Sequence, residues 1–391
     1  MTTQYTLPSA WVDELIEVRR TLHQYPEVGL EEVETTRRIV AYLDAHGIER
    51  LDYPLSTGVL AVVRGRHRGP CVAVRADIDA LPIEEQTGLP YASKIAGTMH
   101  ACGHDFHTAC VLGAARLAKQ VADSASSFAG TILFVFQPAE ELGVGAQAIL
   151  DTGVLRDFQV GAILGEHNNP LLEFGKIGVK AGPLMGSVDE FRIVVRGVGG
   201  HAAVPQFTVD PILVAANLVA GLQHVVSRAV SPLDSVVVTV GMFHAGTARN
   251  VIPGEAVVEG TVRCLQPSAQ DVVEQRLKEF VLNTVQAYGA TADIEYERQL
   301  PCLVNDARLA QLMAESAAAV VGAQNVVEAE PTLAGEDFAV YQQHLPGCFF
   351  WVGTGKPHGW HHPSFDVDER MLKVTSEVFV HAALAWLEAH R

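Results

Sequence analysis

Charged residues are scarce in this chain. They make up 19% of its 391 residues, and the basic ones are outnumbered, 28 Lys and Arg against 45 Asp and Glu, for a formal net charge of −17. That balance argues against nucleic acid or an anionic membrane as partner, because both require a positive face. Anionic small molecules stay possible, since charges beyond a Debye length of ~8 Å are screened and only the field inside a pocket counts. Cysteine is also sparse. The six, at positions 71, 102, 110, 264, 302 and 348, follow no short or regular spacing. Such usage suits a reduced, cytoplasmic protein better than a disulfide framework. No apolar run approaches the ~20 residues that cross a bilayer. Met1–Arg20 shows no apolar segment after basic residues, so no signal peptide is visible. Repeats and low-complexity tracts are lacking too. What the chain does have is apolar side chains, 48% of the total, enough for real cores and, at this length, for two domains.

The apolar residues fall into two textures. In the first, short continuous runs are bounded by glycine and proline: Val59–Arg64, Cys71–Ala76, Thr131–Phe136, Val160–Leu164 and Phe349–Val352. Such runs suit strands buried on both faces of a parallel sheet. Helical spacing separates them over Trp11–Arg20, Glu31–His46, Thr108–Val121, Ala307–Val320 and Arg370–His390. From about Asp189 the texture changes to alternation, with Phe191, Ile193 and Val195 on one face. A strand there, a helix opened by Asp210-Pro211, strands at Ser235–Gly241 and Ala256–Cys264, a helix over Asp271–Tyr288 and a strand over Thr291–Arg298 give the split βαβ order. The expected fold is therefore α/β. A mixed, largely parallel sheet is formed by residues 1–184 and 298–391, interrupted by a ferredoxin-like (βαββαβ) insert over residues 185–297.

Chemistry concentrates at the carboxyl ends of the apolar strands, where open parallel sheets bind ligands. Met99-His100-Ala101-Cys102-Gly103-His104-Asp105-Phe106-His107 places a thiol, three imidazoles and a carboxylate within nine positions. Cys102 and His104, two apart across a glycine, can face one ion from a tight, non-helical turn, and a thiolate with an imidazole suits zinc. Gln137-Pro138-Ala139-Glu140-Glu141, Gly165-Glu166-His167-Asn168 and His361-His362-Pro363 follow other strands. Neighbouring glutamates in an extended loop point opposite ways, so one can bind metal while the other faces a substrate. The donors then number five (Cys102, His104, Glu141, His167 and His361), with Glu140 left over. That set fits two metal ions and a general base better than one closed structural site. Asp79, at the end of a buried strand in Arg75-Ala76-Asp77-Ile78-Asp79-Ala80-Leu81-Pro82, is placed to orient a ligating imidazole. A surface turn is the plainer reading of that stretch.

These motifs, with Arg19-Arg20-Thr21-Leu22-His23, Gly199-Gly200-His201-Ala202, Asn250-Val251-Ile252-Pro253, Gly335-Glu336-Asp337-Phe338 and His361-His362-Pro363-Ser364-Phe365, run the length of the chain in order. The sequence resembles the aminoacylase/carboxypeptidase family of dinuclear metallohydrolases, in the subgroup of hippurate hydrolases and auxin-conjugate hydrolases. The resemblance implies the five ligands named above, two divalent ions (zinc, manganese, nickel or cobalt) and Glu140 as base. It also implies His201 as oxyanion donor, and a lid domain through which two copies form a homodimer. Many relatives carry Asn or Ser where this chain has His362, which makes His361 the matching ligand. Glu166-His167-Asn168-Asn169-Pro170 is similar to bacterial N-acetylamino-acid deacetylases. Asn250 and Arg263, on later segments of the insert, are candidates to hold a substrate carboxylate, Arg263 by bidentate pairing.

The activity so implied is hydrolysis of the amide of an N-acyl-L-amino acid, with acetyl, benzoyl or similar acyl groups. A narrower alternative is a deacetylase for one intermediate, such as N-acetyl-diaminopimelate or an N-acetylcysteine derivative. Two different classes also use these residues: a thiol hydrolase with Cys102 as nucleophile, and a metal-binding protein without turnover.

Overall fold

The apolar runs that end at Asp77, Gln137 and Asn169 form the middle of an eight-stranded sheet. In spatial order its strands are Glu49–Leu51, Val59–Arg64, Ala129–Gln137, His67–Asp77, Val160–Asn169, Gly347–Gly353, Ile177–Val179 and Val326–Glu328. The four from Ala129–Gln137 to Gly347–Gly353 run parallel, while antiparallel pairs close both flanks. Their carboxyl ends therefore open on one edge of the sheet. Parallel strands need both faces covered. Helices His104–Asp123 and Met371–Ala389 help provide that cover, with Phe106, Val111, Leu112 and Phe379 fully buried in the same core as Val72, Val74 and Phe134.

This computed structural model describes residues 5–125 and 127–391, divided into two compact units. The sheet above belongs to the first, which takes the chain up to Gly182 together with Val304–Glu330 and Val340–Arg391. The second takes Pro183–Leu303 and Pro331–Ala339. It contains a four-stranded antiparallel sheet in the order Val236–Ala245, Glu255–Cys264, Val188–Arg196, Thr291–Leu300. The first strand in sequence lies between the third and the fourth, which is the ferredoxin-like arrangement. Helices Pro211–His224 and Pro267–Ala287 pack on it through Val214, Leu218, Leu222, Leu277 and Val281 against Phe191, Ile193, Val195 and Val258. Asp210 caps the first of these helices, its Oδ1 accepting from the Ile212 N–H at 2.9 Å, with Pro211 preset at the first helical position.

Three expectations need correction. The helix after the cysteine motif begins at His104, not Thr108. Gly103 is its N-cap at φ +89°, and the Gly103 carbonyl accepts the first helical bonds from Phe106 and His107. Only Cys102 and Gly103 form the turn, so the donors are split between a turn and a helix end. Histidine and aspartate are weak helix formers, which hid this start. The strand expected to stop at Leu164 runs on to Asn169, because Glu166, His167 and Asn168 pair in register with Phe350, Trp351 and Val352. Finally, one helical stretch, Pro211–Ala229, 19 residues of mean hydropathy 1.3, is long and apolar enough to cross a membrane by length and composition. In this fold part of that apolarity is buried, Val214, Leu218 and Leu222 packing on the antiparallel sheet, while Ile212 and Leu213 stay exposed.

Candidate metal centre

The four donor segments of the first unit meet at the carboxyl ends of its parallel strands. Cys102 Sγ lies 3.3 Å from His167 Nε2. His104 Nε2 stands 3.9 Å from Glu141 Oε1, and His361 Nε2 is 3.4 Å from the same oxygen. Cys102, His104 and His167 form one buried trio of donor atoms, all within 4.8 Å of one another. Cys102 with Glu141 and His361 forms a second, and His104 with Glu140 and Glu141 a third. Cys102, His104 and Glu141 each belong to two trios. The five expected donors and Glu140 are thus brought together, and shared donors are what a site for two neighbouring ions requires.

Local backbone explains how side chains so far apart in sequence converge. His361 adopts φ +62°, rare for a residue with a Cβ, and its N–H donates to the Ala101 carbonyl at 2.9 Å. That bond ties the histidine loop to the cysteine turn, a strained conformation of the kind functional sites hold. His362 faces elsewhere, its ring stacked on His358 at 4.3 Å and its Nδ1 accepting from the Ser364 N–H. Ala139, at φ +52°, turns the glutamate loop, and its N–H donates to buried Glu32 at 2.8 Å. Asp79 is 1% exposed and joins two segments. Its Oδ1 is 3.1 Å from His104 Nδ1, and its Oδ2 accepts from the Glu141 N–H at 3.0 Å.

The donor atoms are in a state to receive cations. His104 Nε2 and Glu141 Oε1 are buried without a hydrogen-bond partner, a costly arrangement unless an ion completes it. Burial alone lowers the affinity of His104 for a proton. The carboxylates of Asp77, Asp79 and Glu141 outweigh it and push the imidazole up to about 10, so the site attracts positive charge. His167 behaves oppositely: burial, then the neighbouring His107, hold it well below the usual histidine range. Its Nδ1 donates to the Asn168 carbonyl at 2.8 Å, which leaves the Nε2 lone pair toward Cys102. Thiolate, imidazole and carboxylate together suit zinc and similar borderline ions.

A deeper trio, Asp77, His104 and His107, also has close donor atoms, yet His107 has no lone pair to give. Its Nδ1 faces Asp77 Oδ1 at 2.7 Å, and its Nε2 receives the Asn168 N–H at 3.1 Å. The carboxylates of Glu166 and Asp77 raise the proton affinity of His107 against its burial. A backbone N–H can only donate, however, so Nε2 stays unprotonated and His107 is neutral. Sequence reading passed over His107 and Asn168. Once the helix starts at His104, His107 is one turn on and faces the same way.

The remaining candidates lie in the second unit. His201 is exposed on the short strand Gly200–His201, paired opposite Val251, and its Nδ1 accepts from the Ala203 N–H at 3.1 Å. The Asn250 carbonyl accepts from the Ala202 N–H at 3.2 Å, so His201 and Asn250 share one corner. Arg263 is half-buried near the far end of strand Glu255–Cys264. The eight residue-to-residue steps of strand from Glu255 to Arg263 span roughly 26 Å. Arg263 is not brought to that corner.

An α/β fold of two units, with a cysteine, histidine and glutamate donor cluster where its parallel strands end, defines the class. The chain belongs to the peptidase family M20/M25/M40, whose model matches residues 73–385. It is 49% identical over 375 residues to an N-acetylcysteine deacetylase of Bacillus subtilis, covering 96% of this chain and 97% of the relative. It is 41% identical over 384 residues to the IAA-amino acid hydrolase ILR1-like 5 of Arabidopsis thaliana, covering 96% and 87%. Among solved structures, the Bacillus subtilis YXEP protein, described as a dinuclear metal binding peptidase from the M20 family, matches with a TM-score of 0.87. That match is 44% identical and covers 97% of this chain and 99% of the other.

Proposed function

We propose that this protein is a metal-dependent amidohydrolase that cleaves N-acyl-L-amino acids to a carboxylate and a free amino acid. The observation that carries the reading is the cluster in which buried Cys102, His104 and His167 meet half-buried Glu141 and the more exposed His361, with Glu140 beside them and with His104 Nε2 and Glu141 Oε1 lacking a hydrogen-bond partner. Those five residues would hold two divalent ions, zinc, manganese, nickel or cobalt. Such ions supply an acidified water and polarisation of the amide carbonyl. Glu140, within 4.8 Å of the His104 and Glu141 donor atoms, takes a proton from water and returns it to the departing amine.

His201 is the donor for the oxyanion that develops on the amide. Its Nδ1 accepts from Ala203, so its Nε2 carries the proton and can donate. Arg263 and, from the His201 corner, Asn250 are the candidates for the substrate carboxylate, so the two would reach one substrate from different subunits. The long strand between Arg263 and the His201 corner keeps one insert from offering both to one substrate. This favours a homodimer in which His201 serves the neighbouring subunit. The ferredoxin-like unit suits that pairing: strand Val236–Ala245 is outermost, bears no formally charged residue or proline, and exposes Val237, Met242 and Phe243. The six cysteines are buried and form no disulfide, in keeping with a reducing, cytoplasmic location.

Acetylated cysteine derivatives are the preferred substrates among N-acyl amino acids, because two relatives at 49% and 44% identity over nearly the whole chain carry that activity in their names. The test is release of free amino acid from acetyl-cysteine, other acetyl-amino acids and benzoyl-glycine, before and after chelation and with each metal restored. Turnover that chelator removes and metal restores is expected. Undiminished turnover in the metal-free protein would favour Cys102 as a nucleophile, and no turnover with any substrate would leave a metal binder.

A further inference from the structure

Beneath the donors runs a line of buried polar groups that the hydrolytic chemistry leaves unused. Arg75 Nη1 donates to Asp77 Oδ2 at 2.8 Å, and His107 Nδ1 donates to Asp77 Oδ1 at 2.7 Å. Asn168 reaches His107 Nε2 twice, through its backbone N–H at 3.1 Å and its side-chain Nδ2 at 2.9 Å. The same Nδ2 donates to the Cys102 carbonyl at 2.6 Å. Both facing atoms are acceptors, so the amide nitrogen must be the atom turned toward them. On the opposite side, the backbone carbonyl of Asn168 accepts from His167 Nδ1 at 2.8 Å and from Trp360 Nε1 at 2.9 Å.

One residue thus touches the cysteine turn, the helix that begins at His104, the His167 ring and the loop that carries His361. Asn168 is fully buried, as are Asp77 and His107 to within 1%. The fit is close. Gly103 has φ +89°, and a Cβ there would stand 2.3 Å from Asn168 Nδ2, so the amide lies directly on the turn. Trp360 also packs edge-on against His167, ring centres 5.1 Å apart. We propose that the Asn168 side chain, anchored by the Asp77–His107 pair, is the positioning group that fixes the Cys102 turn to the backbone segment on which His167 and Trp360 also bond, in the one register where the metal donors converge.

The proposal rests on the ligand assignment above, and the test separates the two. Metal-free protein is titrated with cobalt(II) against a chromophoric chelator, and the thiolate-to-cobalt charge-transfer band of Cys102 is recorded. Loss of a group that orients a ligand typically costs 10- to 100-fold in metal affinity. Asn168→Ala is expected to weaken cobalt binding by about that factor and to shift the band. Asn168→Asp keeps the volume but sets an acceptor against the Cys102 carbonyl, so it should weaken binding too, and it decides the matter if the alanine variant does not fold. Asn305→Ala removes another buried asparagine, one that bridges the Lys180 and Phe349 carbonyls. It should lower the melting temperature without changing cobalt affinity. Wild-type affinity and spectrum in the Asn168 variants, with the band lost in Cys102→Ser, would overturn the proposal while the ligand assignment stands. An equal loss in Asn305→Ala would also overturn it, by showing general loosening. A band that survives Cys102→Ser would remove the ligand assignment and the proposal with it.

Discussion

Replacing Asp79 separates the roles that its two oxygens play. One oxygen receives the His104 Nδ1 proton and the other the Glu141 N–H, at 3.1 and 3.0 Å, so a single carboxylate orients donors from a helix end and from a loop. Asp79→Ala removes both bonds. Each orienting contact is worth about 10- to 100-fold in metal affinity. The two share one cause and will not multiply freely, so the loss should be about 100-fold, roughly 2.7 kcal/mol. Asp79→Asn discriminates more sharply. Its oxygen can still accept from the Glu141 N–H, which keeps the loop. Its NH2 group then faces His104 Nδ1 and favours the tautomer with the proton on Nε2, the atom the metal needs. The asparagine variant should therefore unfold in denaturant no more easily than the alanine variant when metal-free, yet bind zinc at least as poorly. Both are measured by equilibrating each variant against zinc buffers, analysing metal content, and unfolding it in chelator. Zinc occupancy near wild type in Asp79→Asn would refute the idea that the carboxylate sets the tautomer of His104.

Three further outcomes follow from the same geometry. Glu140→Ala should abolish turnover with metal content intact, whereas Glu141→Ala should lose metal first; loss of metal in the former alone would mean the two glutamates exchange roles. Cys102, buried 3.3 Å from His167, should resist alkylation in the metal-loaded protein and react after chelation, as mass spectrometry of the labelled peptide reports; rapid labelling with metal bound speaks against ligation. His201→Ala should lower kcat by about 10²- to 10³-fold with metal retained, and mixing it with Glu140→Ala subunits should restore one complete site per heterodimer if the histidine acts across the interface.

Much of this protein is legible one residue at a time. The continuous apolar runs and the alternating stretch after Asp189 determine, by periodicity alone, a largely parallel sheet and a βαββαβ insert, because burial on both faces or on one imprints a different pattern. The donors could also be named, since thiol, imidazole and paired carboxylates behind apolar strands have few structural uses. What periodicity does not carry is where a strand or helix ends when polar residues occupy its last turn. The helix starts at His104 because Gly103 can take a left-handed conformation and close the first helical bonds. The His167 segment stays a strand because Gly347–Gly353 pairs with it. Resemblance already points to His361 over His362, and the tertiary structure adds geometry that sets the two rings apart. The Ala101 carbonyl fixes the strained His361 backbone toward Glu141, while His358 draws the His362 ring away. Hydrogen bonds between segments far apart in sequence made these choices. A partner such as Asn168, which joins three donor segments, acquires its role only when the sheet brings them side by side.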